Sequence, residues 1–196
     1  MYDGADTVVL YEELAFQGVL PITWRPMTAP WERELAASFD ERNLRLLQAW
    51  DAMEEHVPLE KGKAEDAPYL AEIMRLDLKV NLLLDLVGQL VAATRPRPAS
   101  APIRFNALGA LWRNTGTTLP EAGEQGIAEI YLRDCMAEPL RLAGRVTSVT
   151  PDGNIKVKFL PMGEAVSDLI EKLAFRRHRR QIAGARSSHT TGRRGS

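Results

Sequence analysis

The stretch Arg75-Leu76-Asp77-Leu78-Lys79-Val80-Asn81-Leu82-Leu83-Leu84-Asp85-Leu86 decides the reading of this chain. Around it, Ile73, Val80 and Val87 recur every seven residues, and so do Tyr69, Leu76, Leu83 and Leu90. With the first set at heptad position a and the second at d, the spacing predicts a helix. Its apolar seam runs for about three heptads, roughly 36 Å at ~1.5 Å per residue. Leu78, Leu82, Leu84 and Leu86 lie off that seam. A helix so rich in leucine has to be covered on more than one side, by a preceding helix and by other subunits. β-Branched residues at a with leucine at d suit a parallel dimer, and the extra leucines argue for a larger coiled-coil assembly. A buried helical hairpin within one monomer fits the same residues.

Working outward toward the N-terminus, Pro68 suits the first turn of this helix, where a missing N–H costs little. The span 56–67 reads as a connecting loop, with Pro58, Gly62 and many charges. From Trp31 to about His56 the spacing of Leu35, Phe39, Leu44, Leu46, Leu47, Trp50 and Met53 predicts another helix, with Asn43 as a polar interruption. Residues 31–94 therefore form a helical insertion. Before it, Gln17–Arg25 is strand-like through Val19, Leu20, Ile22 and Trp24, with Pro21 restricting it to an edge or bulge. Residues 1–16 are an N-terminal segment expected to lie along the surface.

Toward the C-terminus the pattern changes to β. Ile103–Trp112 reads as one β segment with Gly109 marking a bulge or a close backbone approach. Gly126–Arg133 and Leu140–Val149 alternate, and Asp152-Gly153 is a two-residue turn leading to Ile155, Val157 and Phe159, with Lys156 and Lys158 facing out. Short antiparallel strands at this spacing predict a small barrel. A last helix is expected over about Glu164–Ala183, followed by a disordered tail over 187–196. The expected class is α+β: a small antiparallel barrel over 17–186, carrying the two-helix insertion and a C-terminal helix.

The chain has 196 residues, 45% hydrophobic and 26% charged, which is ordinary for one globular domain. A single cysteine, Cys135, excludes a disulfide framework and a multi-cysteine metal site. No apolar run reaches the ~20 residues of a membrane span. The acidic start lacks the basic region of a signal peptide, so a cytoplasmic location is expected. The net charge of −1 hides an asymmetry: Lys172–Ser196 carries eight cations and no acid. Such an end is a candidate anion-binding or docking element. His56, His178 and His189 are scattered, and neither a Walker loop nor a GxGxxG is present, so no enzyme and no cofactor are expected.

The order of strand, two long helices, strands and C-terminal helix resembles the atypical PilZ domain family, related to bacterial cyclic di-GMP receptors. The resemblance spans about Gly18–Arg186 and is most specific in Arg75–Leu86, Phe105–Trp112 and Phe175–Ala183. It implies a homotetramer assembled through the helices, with Ile73, Leu76, Val80, Leu83, Val87 and Leu90 at the interface. It also implies cyclic di-GMP as the candidate ligand and an unknown signalling protein as partner. Ordinary PilZ domains hold the dinucleotide with an Arg-x-x-x-Arg pair before the barrel and an [Asp/Asn]-x-Ser-x-x-Gly strand segment. Here no arginine precedes Arg25. Aligned on Gly109, the second motif meets Arg104 in place of the acid or amide and Asn106 in place of serine. Arg104, Asn106 and Gly109 are one candidate ligand set. Arg176, Arg179 and Arg180, sharing one helix face at three- and four-residue spacing, are the other. Their place at a helix end also suits the macrodipole. Arg141 and Arg145 repeat the pair spacing within a strand. An oligomeric scaffold that has lost cyclic di-GMP binding is the alternative.

Overall fold

The computed structural model describes residues 14–28, 31–54, 67–94, 97–116 and 118–191. Six strands, β1 (Phe16–Pro26), β2 (Ser100–Phe105), β3 (Gly109–Arg113), β4 (Gln125–Ile130), β5 (Leu140–Val149) and β6 (Asn154–Phe159), close into an antiparallel barrel in the order β1-β2-β3-β6-β5-β4. Three helices accompany it: α1 (Arg33–Glu54), α2 (Ala67–Thr94) and α3 (Glu164–Thr191). The architecture is the expected α+β barrel with helices. The proposed loop over 56–67 falls almost wholly outside the described residues, as do 1–13 and 192–196.

Alternation builds the barrel, because successive strand residues point to opposite faces. Ile103, Phe105, Ala110, Trp112, Ile155, Val157 and Phe159 point inward and are buried. Leu47 and Trp50 of α1 and Val166, Ile170 and Leu173 of α3 join the same core. Closure also corrects the expectation for Pro21. β1 has no free edge: residues 16–21 pair with β2 and residues 22–26 with β4. Pro21 stands where the strand changes partner, so its missing N–H interrupts neither ladder.

The expected β segment 103–112 is two strands joined by a tight turn. Asn106 makes the turn: its buried Oδ1 accepts hydrogen bonds from the N–H groups of Leu108 (2.9 Å) and Gly109 (3.1 Å). The Leu108 carbonyl accepts the Phe159 N–H at 2.8 Å, tying the turn to β6. Gly109 is a close approach, since a Cβ there would lie 2.4 Å from the Val157 carbonyl oxygen.

Polar anchors set the helices. Asn43 of α1 donates from Nδ2 to the Arg141 carbonyl (2.7 Å) and accepts the Arg141 N–H on Oδ1 (3.0 Å). The apparent polar interruption is thus the bolt between α1 and β5. Asp40 Oδ2 accepts the Gly163 N–H at 2.9 Å, fixing the start of α3 beside α1. α1 packs on α3 and β5 rather than on α2, so the expected cover of α2 by the preceding helix is not there.

Candidate functional site

Two features stand out, an uncovered helix and a basic barrel face. Along α2, Tyr69, Ile73, Leu76, Val80, Leu83, Val87 and Leu90 are all exposed, Leu83 at 60% and Leu90 at 67%. A second stripe, Met74, Leu78, Leu82 and Leu86, follows at four-residue spacing on the other side and is equally exposed. Contiguous apolar surface of this extent marks an interaction site. Two stripes need two neighbours. The foot of α2 is braced: buried Gly88 lets the backbone of Asp134 and Cys135 approach, with a built Cβ meeting the Asp134 carbonyl oxygen at 3.1 Å. Arg97 then grips that turn. It donates to Asp134 Oδ1 (2.9 Å) and to the carbonyls of Asp134 and Met136 (2.8 Å each), over the Tyr131 ring.

The outer faces of β2, β3, β5 and β6 form the basic surface. These four strands contain no Asp or Glu. Cross-strand register places Gln17, Arg104, Leu111 and Lys156 in one row. Gly109, Lys158, Arg145 and Gln125 form the next row, and Arg113 stands opposite Asn154. Arg145 directly faces Lys158 across β5 and β6. At the edge of this surface lies a cleft of about 540 Å³, lined by Leu108, Gly109, Thr147, Met162 and Ser167 along with the two lysines. Apolar walls with a few convergent cations suit a ligand that carries both a flat ring and phosphates.

Of the residues singled out from sequence, Arg104 and Gly109 share this surface. Asn106 instead spends its acceptor on the turn. The α3 arginines are placed otherwise than expected. The helix runs on to Thr191, so they sit in its middle, where the macrodipole no longer explains them. Arg176 meets Asp51 at 2.9 Å, beside Lys172 at 2.8 Å, and Arg180 pairs with Glu54, which also pairs with Arg133. These two arginines face α1. Arg179 lies over Phe175, and Arg177 donates to the Gln17 carbonyl (3.2 Å) next to the Arg104 row. Arg141 pairs with Glu129 and Glu138. Burial pushes the Glu54 carboxyl up, but hydrogen bonds and charge from Arg133 and Arg180 outweigh it and hold its pKa below the ordinary range. Lys156, Lys158, Arg113 and Arg145 did not emerge as one site from sequence. Their signal was the absence of acids from four strands, which becomes a surface only once register is known.

A closed six-stranded barrel with one long uncovered helix defines a binding and assembly module. The family model of the atypical PilZ domain, described as a cyclic di-GMP receptor, matches residues 46–187, and the chain belongs to that family. PilZ domains are receptor and adaptor domains. Among solved structures it is similar to a pathogenic protein from Xanthomonas campestris, described as a new tetrameric PilZ domain self-assembled via an unusual helical bundle. That likeness has a TM-score of 0.62 and 26% identity, over 92% of this chain and 96% of the other. No curated protein matches. Among the described residues, no helix is long and apolar enough to cross a membrane.

Proposed function

We propose that the protein is a cytoplasmic cyclic di-GMP signalling protein that works as a tetramer, four chains joined through α2, and passes the signal to a protein partner. The observation that carries this is the double apolar stripe of α2, which the chain itself leaves uncovered. The similar Xanthomonas protein, with its tetrameric helical bundle, supports four copies. The nucleotide belongs on the basic barrel face, with Arg104, Arg145, Lys156 and Lys158 toward its phosphates and the cleft beside Gly109 for a base. From α3, Arg177 and Arg179 are better placed to assist than Arg176 and Arg180, which hold Asp51 and Glu54.

A second reading, an oligomeric scaffold without nucleotide binding, is favoured by the use of Asn106 in the turn and of two α3 arginines in ion pairs. Calorimetric titration with cyclic di-GMP separates the two. Saturable binding that weakens at least tenfold in Lys156→Ala with Lys158→Ala supports the receptor. Absence of heat across a millimolar range supports the scaffold.

A further inference from the structure

We infer that the groove between α1 and the segment 136–141 is a docking site for a partner protein. The occupant it fits is a short segment with carboxylates at one end and apolar side chains at the other. This rests on the proposed role of passing a signal to a protein, and names where and by what chemistry that protein is met. The groove encloses about 580 Å³ and is open to solvent. One wall is a single face of α1, where Arg42, Leu46, Ala49 and Met53 follow at four-, three- and four-residue spacing. The other wall is the chain leading into β5, with Met136, Pro139 and Arg141.

The two walls run antiparallel and are fixed at both ends. At one end Asn43 exchanges two hydrogen bonds with the backbone of Arg141, at 2.7 and 3.0 Å. At the other, Cys135 Sγ meets Met53 Sδ at 3.9 Å. The groove is therefore preformed, and an occupant loses little to ordering it. From Arg42 to Met53 the helix wall measures about 16 Å at ~1.5 Å per residue, the span of about five extended residues. Its ends differ in character. Arg42 and Arg45 stand exposed at the Asn43 end, and the pair of Arg45 with Glu41 at 3.4 Å is solvent-exposed on both sides, so a partner's carboxylate exchanges for it cheaply. Met53 and Met136 lie at the other end, and thioether walls adapt to varied apolar side chains. Three arginines and one glutamate line the groove, and that glutamate, Glu138, is held by Arg141 at 3.0 Å. Charge complementarity thus selects an acidic partner, the mode in which arginine clusters take acidic motifs.

Fluorescence anisotropy on the full chain tests the docking, with a labelled Asp-Glu-Asp-Leu-Met-Leu peptide as probe. Saturable binding is expected below the millimolar range, at least tenfold tighter than for Lys-Lys-Lys-Leu-Met-Leu or Asp-Glu-Asp-Ser-Ser-Ser. Arg42→Glu with Arg45→Glu should weaken the acidic peptide at least tenfold. Ala49→Glu, which sets a carboxylate in mid-groove, should do the same and decides the matter should the double variant not fold; all three side chains are exposed. Absence of saturable binding, equal binding of the lysine peptide, or unchanged affinity in the variants would overturn the inference. So would an assembly mass that falls in either variant, which would give the groove to a second copy of this chain. A chain that titrates cyclic di-GMP yet ignores the peptide overturns the groove alone. Peptide binding that is the same with and without saturating cyclic di-GMP supports the groove and overturns the signalling reading.

Discussion

Asn106 shows how one side chain can carry a local fold. Its Oδ1 takes the N–H groups of Leu108 and Gly109, the second of them buried, which the β2–β3 turn would otherwise leave unpaired. Asn106→Ala is expected to cost about 1–3 kcal/mol, the penalty of stranding a buried donor, and to leave cyclic di-GMP affinity within a few-fold. Denaturant unfolding and a parallel titration check both halves, and a large affinity loss at unchanged stability contradicts them. Glu54 carries a different burden. Its folded pKa lies below its unfolded value, so its contribution is fully present above about pH 4.3 and fades as pH falls through the depressed folded value. Glu54→Ala should cost about 2 kcal/mol near neutrality, less than a fully buried pair, because Arg133 and Arg180 regain water. In acid, the difference in Tm between mutant and wild type should shrink; a constant difference would show that the ion pairs contribute nothing.

At the scale of elements, helices α1 and α3 are held by charge as well as packing. Asp51 and Glu54 of α1 receive Lys172, Arg176 and Arg180 of α3. Arg176→Ala with Arg180→Ala is expected to lower Tm by several degrees while nucleotide affinity stays within threefold. The opposite outcome would return these arginines to the ligand. Helix α2 has the reverse character, with almost nothing of its own chain on its apolar sides. Leu83→Glu places a charge in each copy of the seam, against ~1.5–3 kcal/mol gained per buried leucine. It should yield monomers that keep the barrel's Tm. The heptads of α2 and the strand alternation were legible in sequence because both periods are local. The partner of α1 was not, since Asn43 finds Arg141 only through tertiary contact. The basic face was half legible: Lys156 and Lys158 read as outward-facing, but their meeting with Arg104 and Arg145 depends on the barrel's strand order, which no local pattern encodes.

For the whole molecule, the barrel and α2 meet at the foot of the helix. The turn at 131–136 supports the foot of α2 through Gly88 and Arg97, and its Arg133 reaches Glu54, the residue that also holds α3. Helix α2 and the α1–α3 pair thus share a support. The central claim is that α2 is covered by other copies of this chain. Light scattering coupled to gel filtration tests it most directly, at micromolar concentration and moderate salt. Four chains of 21.8 kDa predict a mass of about 87 kDa for the wild type. A wild-type mass of 21.8 kDa, undiminished in Tm and constant on concentration, would contradict the account.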